Sequence, residues 1–164
     1  MAVNFDGTKL LQTIVLNERR VAEFYRAVAY EMNDGKGKHL FEIMATDEEK
    51  HEKIYTNIMN KLPNGGNLEL SVEDAEYMNL LIETNMFEDT DDTLEKFRGR
   101  YAKADALELA EKIERDGIMF INELQNLFPD VAPKEISLVL AEEKKHLKSV
   151  LLRKMDIASS SLML

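Results

Sequence analysis

Residues 47–55 read DEEKHEKIY and residues 142–150 read EEKKHLKSV. Each stretch holds a Glu-x-x-His pair, Glu48 with His51 and Glu143 with His146, in a chain with only 3 histidines. Residues three apart project from one face of a helix, so each pair can grip a single site. The surroundings of both stretches are helical in period. Residues 38–62 carry Leu40, Phe41, Met44, His51, Tyr55, Ile58 and Met59 on one side before PNGGN stops the pattern, and Pro133 in a first turn opens another helix that runs to about residue 155.

Working outward, each pair has a partner upstream. Glu18, in NERRVAEFY, precedes Glu48 by 30 residues, and Glu114, in IERDGIMFI, precedes Glu143 by 29; Phe24 and Phe120 follow these glutamates at equal distance. The chain is thus an internal repeat whose halves, residues 9–61 and 105–154, each supply a helix with one glutamate and then a helix with Glu-x-x-His. The first helix of each half is expected over residues 8–33, ending at NDGKG, and 105–128. Between the halves, SVEDAEYMNLLIETNMF (71–87) opens with an S-x-x-[DE] capping pattern and reads as an extra helix, and EDTDD (88–92) as a solvated turn. A short, a long and a short connection make two antiparallel hairpins joined by a crossover. The fold class expected is all-α, a four-helix bundle forming a single domain over residues 1–164.

The glutamates stand in core stripes. Glu18 shares its face with Leu11, Ile14, Val21, Ala22 and Tyr25, Glu48 with Phe41, Met44, Ala45 and Tyr55, and Glu143 with Ile136, Val139, Leu140 and Val150. Around Glu114 the apolar Leu107, Ala110, Ile118 and Ile121 are interrupted by Glu111 and Gly117. An unpartnered buried carboxylate costs on the order of several kcal/mol, and four together would repel one another or take up protons. Two divalent cations balance four carboxylates. With two imidazoles added, the ligand set suits iron or manganese better than soft-ligand metals. A dinuclear centre held by Glu18, Glu48, His51, Glu114, Glu143 and His146 is the economical expectation.

This constellation is that of ferritin-like di-iron carboxylate bundles. The stretches NERRVAEFY, ATDEEKHEKI, IERDGIMFI and LAEEKKHLKSV resemble the four ligand-bearing helices of rubrerythrin-like members of that superfamily. The resemblance covers all four main helices and is specific at the six ligand positions. It implies that Glu48 and Glu143 bridge two iron ions, that Glu18 and His51 complete one, and that Glu114 and His146 complete the other. It further implies a homodimer and an oxidoreductase that reduces peroxide or dioxygen. Two departures shape the expectation. The chain has no cysteine, so the cysteine-ligated rubredoxin iron domain of full rubrerythrins has no counterpart and electrons must come from a separate donor protein. Gly117 stands where rubrerythrins carry an additional glutamate used in redox-dependent ligand exchange. An iron-handling protein of ferroxidase type, a di-iron hydroxylase of an organic substrate and a bundle with a purely structural layer are the other readings.

Charge and composition narrow the partners. With 31 acidic and 21 basic residues, net −10, the chain would repel a phosphate backbone or an anionic membrane, so neither nucleic acid nor membrane is an expected partner. The absence of cysteine excludes disulfides, thiolate metal sites and cysteine nucleophiles. With no apolar run of spanning length and no leader-like start, a soluble cytoplasmic protein is expected. Other residues have plainer readings. His39 reads as exposed, and the nine methionines as core filler. Tyr25 and Tyr55 read as core packing, with redox relay or hydrogen bonding beside the ligands as the functional alternative. Asp47 and Glu142 read as solvated charge, with orientation of the ligand imidazoles as the alternative. Gly117 fits either close helix packing or an opening for a small oxidant. HEKIY is no zinc-protease motif, because Tyr55 stands where the second histidine is required. Val72, Tyr77, Met78, Leu80, Leu81, Ile82, Met86 and Phe87 make the extra helix more apolar than a crossover needs, which points to a subunit contact.

Overall fold

The computed structural model describes residues 1–85 and 103–162. Four long helices carry the fold: α1 (Gly7–Glu31), α2 (Gly35–Asn60), and, after the shorter α3 (Val72–Asn85), α4 (Lys103–Leu127) and α5 (Pro133–Leu162). Their starts are fixed by local chemistry. Asp6 accepts the N–H of Lys9 at 2.9 Å ahead of α1, and Ser71 Oγ accepts the N–H of Asp74 at 3.0 Å ahead of α3, as the capping pattern predicts. Helix α2 begins earlier than expected. The glycines of NDGKG suggest a turn, but the Asp34 carboxylate accepts the N–H of Gly37 at 2.8 Å and the helix starts at Gly35. His39, exposed as anticipated, therefore lies in that helix and not beside a turn.

Asp34 also pairs with Arg153 of α5, so it ties one hairpin to the other. Asp34→Ala should cost about 1–2 kcal/mol through the lost cap. The melting temperature should fall by roughly 2–8 °C, with a lower urea midpoint and an unchanged m-value.

One element departs from the all-α expectation. Strand β1 (Ala2–Asp6) pairs antiparallel with β2 (Asn67–Ser71), Val3 opposite Leu70 and Phe5 opposite Leu68. Between α2 and β2, Asn64, Gly65 and Gly66 take positive φ, which brings the chain back beside its own start. Gly7 is required where this ribbon meets α1, since a Cβ there would lie 2.7 Å from the carbonyl oxygen of Gly66. Phe5 and Leu70 are buried and join the core.

Helix α1 packs along α2, α4 along α5, and α2 against α5. The apolar core falls into two clusters. One gathers Leu10 and Ile14 of α1, Tyr55 and Ile58 of α2, Phe120 and Leu124 of α4, and Ile136 and Val139 of α5. The other gathers Val21 and Val28 of α1, Phe41 and Met44 of α2, Leu107 and Ala110 of α4, and Val150 of α5. The first half of α1 thus shares an end of the bundle with the second halves of α2 and α4 and the first half of α5. It follows that α2 and α4 run parallel, while each hairpin is antiparallel within itself. Helix α3 adds Met78 and Leu81 to the first cluster. Of the apolar surface expected to meet another subunit, Met78 and Leu81 are buried within the chain and Val72, Tyr77 and Leu80 are exposed. Met86, Phe87 and EDTDD lie outside the described residues. Among the described residues no helix is long and apolar enough to cross a membrane.

Candidate metal centre

In every long helix a polar layer separates the two apolar clusters. It consists of Glu18 on α1, Glu48 and His51 on α2, Glu114 on α4, and Glu143 and His146 on α5, all at most 8% exposed. All six residues singled out in the sequence are therefore brought together. Apart from the hydroxyls of Tyr25 and Tyr55, they carry the only buried charged or polar side chains among the described residues. Apolar side chains of similar volume in such a layer would often leave the fold as stable or more stable, by about 1–4 kcal/mol, so stability does not explain it.

The ligand atoms form two overlapping groups. Glu18, Glu48, His51 and Glu143 each offer one atom such that all lie within 4.8 Å of one another, and Glu48, Glu114, Glu143 and His146 do the same. Either group could hold a metal ion. Glu48 and Glu143 belong to both, and each divides its oxygens between them. Glu48 Oε2 lies 3.2 Å from Nδ1 of His51 and its Oε1 3.4 Å from Nδ1 of His146. Glu143 Oε1 lies 3.0 Å from Nδ1 of His51 and its Oε2 3.9 Å from Nδ1 of His146. Glu18 approaches only His51, at 3.7 Å, and Glu114 only His146, at 3.6 Å.

Both imidazoles turn Nδ1 inward and Nε2 outward. Nε2 of His51 meets Glu142 Oε2 at 2.7 Å, and Nε2 of His146 meets Asp47 Oδ2 at 2.9 Å. Asp47 and Glu142 are thus not merely solvated charge. An N–H held by a carboxylate on the outer nitrogen leaves the inner nitrogen as the lone-pair donor and strengthens it. The pairing is crosswise, since Asp47 of α2 serves His146 of α5 and Glu142 of α5 serves His51 of α2. Its signal in the sequence is the repeat itself: an acid immediately precedes the Glu of Glu-x-x-His in both halves. Asp47→Asn and Glu142→Gln should each weaken metal binding about 10- to 100-fold in a competition titration against a chromophoric chelator.

Tyr25 is also more than packing. Its O–H donates to Glu114 Oε1 at 2.7 Å while its ring meets Phe41 edge-on. Tyr55 is buried in the core, beside the layer. Glu111, one turn before Glu114, is bound to Lys154 at 2.9 Å and to Arg115 at 3.2 Å. It is therefore engaged outside the layer.

The electrostatics are those of a site short of positive charge. Burial, then the charge of Glu48, pushes the carboxyl of Glu18 well above the usual range, and burial, then the charge of Glu114, does the same for Glu143. Burial opposes charge on the imidazoles, yet the hydrogen-bonding carboxylates outweigh it. Glu143, Glu18 and Glu48 hold His51 far above its ordinary range, and Glu114 and Glu48 push His146 up to about 11. Protons thus collect where cations would sit. Three buried atoms of the layer still lack a hydrogen-bond partner: Glu18 Oε2, Glu114 Oε2 and His146 Nδ1. Unpaired lone pairs on convergent oxygen and nitrogen donors are what a cation would satisfy. Comparison with protein families, with curated proteins and with solved structures returned no match.

Proposed function

We propose that the chain is a ferritin-like, rubrerythrin-like di-iron protein that reduces hydrogen peroxide or dioxygen with electrons from a separate donor. The observation that carries this reading is the division of Glu48 and Glu143 between the two ligand groups, each carboxylate turning one oxygen to His51 and the other to His146. Two carboxylates shared in this way suit a pair of neighbouring cations. Glu18 and His51 would complete the first ion, and Glu114 and His146 the second. The parallel course of α2 and α4, each within an antiparallel hairpin, is in keeping with a ferritin-like crossover. Iron bound there would supply redox equivalents and Lewis acidity to a small oxidant.

The chain's own residues do the rest. Glu142 and Asp47 fix the two imidazole rings through Nε2 and aim Nδ1 into the layer. Tyr25 orients Glu114, and because burial raises its phenol well above the usual range it keeps its proton at that oxygen. The apolar clusters on either side exclude bulk water. Reducing one hydrogen peroxide to two waters consumes two electrons and two protons. These residues include no cysteine that could hold a thiolate-ligated relay, which favours a separate electron donor.

Stopped-flow mixing of the iron-loaded, anaerobically reduced protein with peroxide tests the reading. Near-ultraviolet absorbance should rise within seconds, and peroxide loss should continue beyond one equivalent only when an artificial electron donor is present. Oxidation without cycling, even with donor, would favour iron handling. A reduced protein inert to both peroxide and dioxygen would reject the proposal.

A further inference from the structure

Gly117 lies inside α4, one turn beyond Glu114, where glycine weakens a helix and calls for a local reason. Two common reasons do not apply. Its φ is outside the left-handed region, so other residues suit the backbone equally well. A Cβ built on it would have a single neighbour, Glu143 Oε2, at the ordinary contact distance of 3.9 Å. Close packing does not exclude a side chain either.

The repeat supplies the comparison. Gly117 follows Glu114 by three residues, as Val21 follows Glu18. Val21 is 3% exposed and packs in the apolar core, which closes its half of the bundle. Gly117 is partly exposed. The oxygen next to it, Glu143 Oε2, is the one turned toward His146. The side chain present at this place in the first half is therefore missing in the second, beside the Glu143 carboxylate.

Resting on the reading of the layer as a metal centre, we infer that the gap at Gly117 is the entry port for a small ligand and makes the two ion positions inequivalent, with the exchangeable position on the Glu114–His146 side. A gap the size of one missing side chain admits a molecule of a few heavy atoms, such as dioxygen, hydrogen peroxide or azide, and turns away an organic substrate. Gly117 thereby determines specificity by size.

Azide titration of the cobalt(II)-loaded protein, followed by visible absorbance with cobalt content measured in parallel, tests this. Gly117→Ala should weaken azide binding less than threefold and Gly117→Leu at least tenfold, with cobalt content unchanged. Should Leu disturb cobalt content, Gly117→Val, which copies the other half, is read by the same criterion. The metal-free Gly117→Ala protein should melt at or above the wild-type temperature, because the helix gains a better former and nothing is displaced. Wild-type azide affinity in a fully loaded Leu or Val variant would overturn the port and place entry beside Glu18, the most exposed ligand at 8%. A Gly117→Ala protein melting several degrees lower would overturn it as well, by showing that packing requires the glycine. A wild-type protein that takes up no cobalt fails the metal reading itself, and elemental analysis records that separately.

Discussion

Glu48→Ala and Glu143→Ala should each take up neither ion, where the wild type should take up about two per chain if the layer is the proposed two-metal site. Glu18→Ala and Glu114→Ala should each keep about one, since each of those glutamates serves a single group. The contrast follows from geometry. Removing Glu48 takes one oxygen from beside His51 and another from beside His146, whereas removing Glu18 leaves Glu48, Glu114, Glu143 and His146 intact. Elemental analysis after anaerobic reconstitution and desalting reads the result. Far-ultraviolet circular dichroism of the metal-free Glu48→Ala protein should match that of the metal-free wild type in helical content. That comparison separates lost ligation from misfolding. Wild-type iron content in either shared-glutamate variant would remove the bridging role.

Chelation should lower the melting temperature of the metal-loaded wild type by about 8–16 °C at pH 8, and by much less at pH 5.5. The magnitude corresponds to about 4 kcal/mol, the stabilisation from an ion present at a thousand times its dissociation constant, at 2–4 °C per kcal/mol for a chain of roughly this size. The pH dependence comes from the protons that stand in for metal. His146 titrates near 11 in the metal-free fold against an ordinary 6.5, and His51 is raised further, so the native state binds protons that the unfolded chain releases. Their contribution is complete below 6.5 and is lost as pH rises from there through about 11. The raised carboxyls of Glu18 and Glu143 act in the same direction from their ordinary 4.5 upward. Metal-free protein therefore weakens as pH rises, while metal, which needs deprotonated ligands, binds better. The gap between the two forms widens with pH. Glu18→Gln/Glu114→Gln should show only a small shift on chelation, and a shift equal to that of wild type would mean that chelation acts elsewhere.

The six residues of the buried layer were legible as a group because each sits in the middle of an apolar helical stripe, where a carboxylate or imidazole has no business without a partner. The hairpin order was legible from one long and two short connections. The partners one step out were legible only as the alternative reading, because the sequence does not name the residue each of them contacts. Asp47 and Glu142 lie at the polar flank of their own helices, and the histidines they hold are 99 and 91 residues away, so no local period announces the contact. Tyr25 reads as one more core aromatic until Glu114, 89 residues distant, is placed beside its hydroxyl. The β1–β2 ribbon was missed because five-residue strands alternate too briefly to stand out, and only their juxtaposition shows that Phe5 and Leu70 face the core together. At NDGKG the glycines suggested a break that the Asp34 cap overrides.

The crosswise exchange of carboxylates has an ancestral dimension. Each hairpin carries an acid that reaches the histidine of the other, which is the self-complementary relation a two-fold axis generates between identical copies. Two copies of a single hairpin could satisfy the same contacts, so the chain has the form of a duplicated two-helix unit fused end to end. Such a symmetric precursor must surround both ligand groups alike. Fusion frees the halves to diverge, and they have done so where it alters the neighbourhood of the layer: Val21 against Gly117, Tyr25 against Ile121, Tyr55 against Val150. The Tyr25 hydroxyl at Glu114 and the missing side chain at Gly117 are differences between the halves that fusion permits.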